Sequence, residues 1–207
     1  MFAILFYIKP VEVLAIPSDQ NIAMIKSWAL PMPSNQNGGF SITSSFSGND
    51  IYYAESGSNT IGRLDVGSNT ITEWNIPTAN SLPNSITNHP SGDVYFIEIN
   101  SNTIGRLVPQ TNTITEWAIQ SNSSDSSAGN NSATSDNIRQ FNSLNVDPSN
   151  GDVYFIESNS NTIGRLTPFS SEFTEWKFQE KPSTIDIDSA GSVHYIDANG
   201  SKIVRMD

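Results

Sequence analysis

At 207 residues the chain is long enough for a sizeable core, in one large domain or two small ones. Its 21 Asp and Glu against 10 Lys and Arg leave a net charge of −11, a field that repels phosphate backbones and argues against nucleic acid as a partner. No cysteine is present, which excludes disulfides, cysteine-ligated zinc, iron–sulfur clusters and thiol nucleophiles. Only 15% of residues are charged, and the sequence is rich in Asn, Ser and Thr, a mixture that favours turns and strand faces over long helices.

The opening "MFAILFYIKP" carries an apolar run from Phe2 to Ile8. It is too short to span a bilayer and no basic residue precedes it. A buried strand is the first reading and a trimmed or atypical export signal the second. The second would favour an extracytoplasmic location, which the lack of cysteine leaves undetermined. Residues 1–21 carry no assigned unit. "IAMIKSWALP" (22–31) follows and reads as an outer strand displaced from the repeat described next.

From residue 40 onward the chain repeats itself. "NDIYYAE" (49–55), "GDVYFIE" (92–98) and "GDVYFIE" (151–157) are each followed by "NTIGRL" (59–64, 102–107, 161–166). After these come "NTITEWNIP" (69–77), "NTITEWAIQ" (112–120) and "EFTEWKF" (172–178); an eroded copy, "GSVHYID" (191–197) with "SKIVRMD" (201–207), closes the series. Weaker runs, "FSIT" (40–43), "NSIT" (84–87), "NSLNV" (142–146) and "STIDI" (183–187), precede each copy. Arg63, Arg106, Arg165 and Arg205 mark a period of roughly 43 residues, the length of a propeller blade. One interval is lengthened by a Ser/Asn-rich stretch at 121–139, which reads as a flexible loop.

Each unit therefore predicts four short strands in an antiparallel meander, with no competing helical period. Such a sheet has two faces to bury, so copies must pack face to face around an axis. The expected fold class is all-β, a β-propeller of about four four-stranded blades (40–77, 84–120, 140–178 and an incomplete 183–207) in a single domain. The 22–31 strand is expected to complete the last blade and remove a free edge. The alternative is a partial ring that needs a second copy of the chain.

The cadence Y-F-I-E, N-T-I-G-R-L, I-T-E-W resembles the virginiamycin B lyase (streptogramin lyase) family over most of residues 22–207, three words in fixed order three times. That resemblance implies a seven-bladed propeller that linearises a cyclic depsipeptide by metal-assisted elimination at its ester. It implies a His base in a Pro-His-Gly-like turn. A Glu two residues earlier and the Glu ending the second strand of the same blade would hold the metal. Pro83 matches the turn's Pro and Glu98 the second-strand acid, but Asn84 stands at the His position and Leu82 at the earlier Glu. The other blades carry Gly39 and Ser41, Phe141 and Ser143, Lys181 and Ser183 there. Mg2+ is implied only where lyase activity is retained, with Glu98 as its ligand, and no catalytic residue is assigned.

Glu55, Glu98, Glu157 and Asp197 end the second strand of each unit. They are the candidate ligand-binding residues, as a ring of carboxylates on one face; the plainer reading has each paired with an Arg or capping a turn. Glu73, Glu116 and Glu175 on the fourth strand are expected to pair across the ladder with the third-strand Arg residues. Trp28, Trp74, Trp117 and Trp176 read as packing between blades rather than as a binding cage. The two histidines offer little for a triad or a metal site: His194 replaces the Tyr of the other copies, and His89 lies in a first turn. The expected function is a non-catalytic module binding a small molecule or protein on the face that bears the long loop. The alternative is a metal-dependent C–O lyase opening a cyclic depsipeptide ester. No transmembrane span is expected, and a homodimer is the form a partial ring would take.

Overall fold

A computed structural model describes residues 3–8, 11–12, 26–31, 40–119 and 140–206. The expected loop at 121–139, and much of residues 1–25, lie outside the described residues. Those described contain strands and turns and no helix, so none is long and apolar enough to cross a membrane. Three short strands come first: β1 (Ile4–Tyr7), β2 (Val11–Glu12) and β3 (Lys26–Ser27). Four meanders follow. They are β4 (Phe40–Ser44), β5 (Asp50–Glu55), β6 (Thr60–Asp65) and β7 (Thr70–Asn75); then β8 (Pro83–Asn88), β9 (Val94–Glu98), β10 (Thr103–Val108) and β11 (Thr113–Ala118). Next are β12 (Phe141–Val146), β13 (Val153–Glu157), β14 (Thr162–Thr167) and β15 (Glu172–Lys177), and last β16 (Pro182–Ile187), β17 (Val193–Asp197) and β18 (Lys202–Met206). Within each meander sequential strands pair antiparallel.

The turns explain two of the repeated letters. Asn59, Asn102 and Asn161 precede the third strands, and Asn69 and Asn112 precede fourth strands, all with φ between 51° and 60°. Asn tolerates this left-handed region better than other non-glycine residues, so each "NT" is a turn residue followed by the first residue of a strand. Between first and second strands the same role falls to Gly48, Gly92, Gly151 and Gly191, at φ 76° to 90°.

Adjacent sheets pack face to face through three seams of one design. The leading face of the second blade presents Tyr95, Ile97 and Ile104, with Ile119 beyond its last strand. These meet Leu144, Val153, Phe155 and Leu166 on the trailing face of the third. Tyr52, Ala54, Ile61 and Trp74 meet Ile86, Val94, Phe96 and Leu107 in the seam before it, and Tyr154, Ile156 and Ile163 meet Ile185, Val193 and Tyr195 in the seam after. The outer-strand indoles are pinned across seams: Trp74 Nε1 donates to Asn112 Oδ1 at 2.8 Å and Trp117 Nε1 to Ser171 Oγ at 3.0 Å. The inner strands β4, β8, β12 and β16 pack in that order, but β4 and β16 do not pack on each other as neighbours do. The blades form an open arc.

Two expectations about the N-terminal part need correction. Among the described residues, 26–31 do not complete the last blade: β18 pairs only with β17, and Lys26–Ser27 pairs with Val11–Glu12. Trp28 instead lies on the trailing face of the first blade, with Leu30 beside Tyr53, Leu64 and Ile71, and its Nε1 donates to Asn69 Oδ1 at 3.1 Å. The apolar run at the start is a strand but not a buried one. β1 adds a fifth, outermost strand to the first sheet by pairing with β7, and Ile4, Leu5 and Tyr7 are exposed. Phe6 alone on β1 turns inward, toward the Trp28 cluster.

The glycine of "IGR" is fixed by close approach. A Cβ on Gly105 would stand 2.2 Å from the Phe96 ring, and on Gly164 2.1 Å from that of Phe155. The far end of the ring meets the third strand there, and the ring is itself fully buried in the seam, so it has nowhere to retreat. Gly105→Ala is therefore expected to destabilise the fold by about 1–3 kcal/mol, read as a lowered urea midpoint with an unchanged slope.

Candidate functional site

The meander places the C-terminal ends of second strands, the turns after them and the connectors between blades on one face of the arc. Glu55, Glu98, Glu157 and Asp197 all fall there, opposite Phe40, Pro83, Phe141 and Pro182 at the starts of the inner strands. All four side chains are buried. They do not converge: among the described residues no group of three or more His, Asp or Glu could hold a metal ion. Each belongs to its own blade and has its own surroundings.

Glu98 is the best defined. The connector leaving the first blade is held by Asn59, whose Nδ2 donates to the Thr78 carbonyl at 2.9 Å. Its Oδ1 accepts the Ser81 N–H at 2.8 Å. Thr78 then donates through its N–H (3.1 Å) and hydroxyl (3.2 Å) to the two oxygens of Glu116. Glu98 sits against this network, fully buried, accepting a 3.3 Å bond from Ser101 Oγ at Oε2, while Oε1 has no hydrogen-bond partner among the described residues. Burial, opposed by the Ser81 hydroxyl and reinforced by the Glu116 carboxylate, pushes Glu98 up to about 7. In the first blade the aromatic over glycine is Tyr53, whose hydroxyl donates to Glu73 Oε1 at 3.0 Å. Burial still lifts Glu73 above its ordinary range, with the Glu55 charge adding to it. Both oxygens of Glu55 are buried with no hydrogen-bond partner among the described residues.

Asp197 is a turn cap. Burial alone would raise it, but the N–H groups of Gly200, Asn199 and Lys181 donate to its oxygens at 3.0–3.3 Å. With Lys202 Nζ 3.7 Å away, they hold it below its ordinary value.

The expected Arg–Glu ladder is not formed, for a reason of parity. Glu73, Glu116 and Glu175 stand opposite Gly62, Gly105 and Gly164, while Arg63, Arg106 and Arg165 stand opposite Thr72, Thr115 and Thr174. One residue along a strand changes the face. The guanidinium groups turn to acids at the start of the second strand: Arg106 Nε donates to Asp93 Oδ2 at 3.0 Å, and Arg165 lies 3.6 Å from Asp152.

The positions that would carry metal-assisted elimination do not assemble such a site. Pro83 is buried, Asn84 is exposed, and Leu82 adopts φ 54° in the turn before them. Glu98 is enclosed beside the Glu116 carboxylate, and among the described residues no third His, Asp or Glu joins the pair. His194 lies opposite Arg205, the position of Tyr95 opposite Arg106, and His89 Nδ1 is bonded to Ser91 Oγ at 2.9 Å.

On the opposite face of the arc, seams open into polar hollows that sequence patterns do not announce. One of about 370 Å³ is lined by Asp50, Tyr52, Arg63, Asn88 and Gln110, with exposed Phe46 at its rim. Another of about 310 Å³ is lined by His89, Asp93, Tyr95, Arg106 and Phe169.

No protein-family model and no curated protein matches the chain. Solved structures do. Virginiamycin B lyase from Staphylococcus aureus is similar at 24% identity and a TM-score of 0.62, over 89% of this chain and 59% of that one. Its catalytically inactive His-to-Ala variant, solved with quinupristin, matches at 19% identity and 0.61, over 100% and 60%. The WD40 β-propeller domain of Doa1 matches at 12% and 0.55, over 78% and 47%. The chain is an open β-propeller arc resembling the virginiamycin B lyases in fold. It spans about three-fifths of the length of those lyases.

The buried Glu98 gives a pH test. A carboxyl whose pKa is raised on folding binds its proton more tightly in the folded state, so its penalty is absent at low pH and grows as pH rises from about 4.5 through about 7. Glu98→Gln removes the charge and keeps the shape. The substitution is expected to raise Tm by about 3–8 °C at pH 8 and far less at pH 5, measured by thermal unfolding at both pH values.

Proposed function

We propose that the protein is a non-catalytic binding module built on the lyase-like repeat, using the face of the arc that carries the connectors between blades and the turns after the second strands. What carries the reading is the pairing of intact framework words with Leu82 and Asn84 at the metal-ligand and base positions, beside a Glu98 sealed from solvent. The S. aureus lyase becomes catalytically inactive when a single His is replaced by Ala. In this chain Asn84 stands where the resemblance puts the His base, and an amide cannot accept the proton that elimination must remove.

In the first three blades the turns after the second strands carry no charged side chain. Ser56, Ser58, Asn100, Ser101, Asn159 and Ser160 line them, while the acids lie beneath, and the exposed Lys181 and Lys202 stand apart, beside the last blade. Hydroxyl and amide groups donate and accept hydrogen bonds alike. They suit an uncharged polar ligand, a small molecule or a peptide segment of a protein, better than a cation or a phosphate.

Incubation with a streptogramin B depsipeptide and magnesium is expected to leave the ring intact by mass spectrometry. Ring opening that is lost in Glu98→Gln would overturn this reading and establish a working lyase.

A further inference from the structure

The two ends of the arc are complementary halves of the seam that the molecule already uses three times. On the leading face of the last blade, Ile203 is 76% exposed and Ile196 42%. Their equivalents Ile61, Ile104 and Ile163, and Ala54, Ile97 and Ile156, are all fully buried against a following blade. On the trailing face of the first blade, Ile42 is 71% exposed, while its equivalents Ile86, Leu144 and Ile185 are 5–7% exposed against a preceding blade. The last blade thus leaves its leading face open at Ile196 and Ile203, and the first blade leaves its trailing face open at Ile42, while Tyr53, Leu64 and Ile71 of that face are already covered by the chain's own Trp28 and Leu30.

The outer strands are complementary as well. Among the described residues, β18 is a third strand with no fourth strand beside it, and a cavity of about 530 Å³ lined by Trp176, Phe178, Val204 and Met206 opens along it. In the second and third blades the same place is filled by Ile114 and Phe173 of the fourth strand, opposite Leu107 and Leu166. At the other end, Lys26–Leu30 has the seat of a fourth strand without the blade. Trp28 bonds to Asn69 across the face of the first blade as Trp74 bonds to Asn112. A third strand with no fourth beside it among the described residues, and a segment seated as a fourth strand across the face of the first blade, fit one seam.

We propose that two copies of this chain join head to tail, the last blade of each packing on the first blade of the other, to close a ring of eight blades. The β18 edge of one copy then pairs with the Lys26–Leu30 strand of its partner. The repeat's register sets Ile203 opposite Trp28 and Val204 opposite Ser27, as Ile104 stands opposite Trp117 and Gly105 opposite Glu116. Both junctions are the same heterologous contact, and a twofold axis closes the assembly without leaving an edge. Eight blades lies within the range that propellers adopt.

Light scattering on the purified 207-residue chain at micromolar concentration is expected to give twice the chain mass. Ile203→Lys, at a position exposed in the single copy, is expected to give the monomer mass with an unchanged β-sheet circular dichroism spectrum. Because the chain has no cysteine, Ser27→Cys and Val204→Cys proteins can be mixed and oxidised, and a mixed disulfide between the two variants is expected. A monomeric wild-type chain, an Ile203→Lys protein that stays dimeric, or no mixed disulfide would each overturn the proposal. So would a disulfide within a monomeric Ser27→Cys/Val204→Cys chain, which would mean that each copy closes its own ring.

Discussion

The structure depends on one constraint: a four-stranded sheet that is apolar on both faces is stable only between two others. Strand alternation divides each blade into a leading and a trailing face. Here the leading face carries Tyr95, Ile97 and Ile104 and the trailing face carries Phe96, Leu107 and Ile114. Burying aliphatic side chains of this size contributes roughly 1.5–3 kcal/mol each, far more than any surface ion pair. The seams therefore govern the stability of the arc, and the blade has little independence from its neighbours.

That constraint explains why six letters recur, and why the fold was legible in the sequence. In "NTIGRL" at 102–107, Asn102 takes the left-handed turn position and Thr103 begins the strand. Ile104 enters one seam and Leu107 the other, Gly105 makes room for Phe96, and Arg106 reaches Asp93. Every side chain answers to its own blade or to a neighbour shaped like it. The last blade shows what happens when one letter changes. Val204 replaces the glycine opposite Tyr195, and the Tyr195 ring leans instead on Phe178, at 5.3 Å between centroids.

What sequence reasoning missed is what depends on parity and on partners distant in the chain. Arg106 and Glu116 look like ladder partners because their strands are adjacent, yet a one-residue offset sends them to opposite faces. The indole of Trp28 carries the signature of an outer strand, but which sheet it joins is decided by three-dimensional closure. A local pattern contains no information about that. The same holds for the acids ending the second strands. Their regular spacing suggested a ring, while connectors of unequal length gave Glu98 a partly satisfied network and Asp197 a three-donor cap.

A repeat whose letters are all committed to packing leaves function to the places where the copies differ. Catalysis needs dissimilar groups brought to one point, and identical blades bring similar groups to similar points around an axis. The departures are few and local. Tyr53 adds a hydroxyl where the next two blades have Phe96 and Phe155, and it reaches a buried Glu73. Asn59 finds Ser81 in the connector leaving the first blade, and Thr78 of the same connector reaches Glu116. These hydrogen bonds belong to one connector and not to the repeat. They hold side chains by something other than the seam, and such places are where a blade can acquire a role that its copies lack.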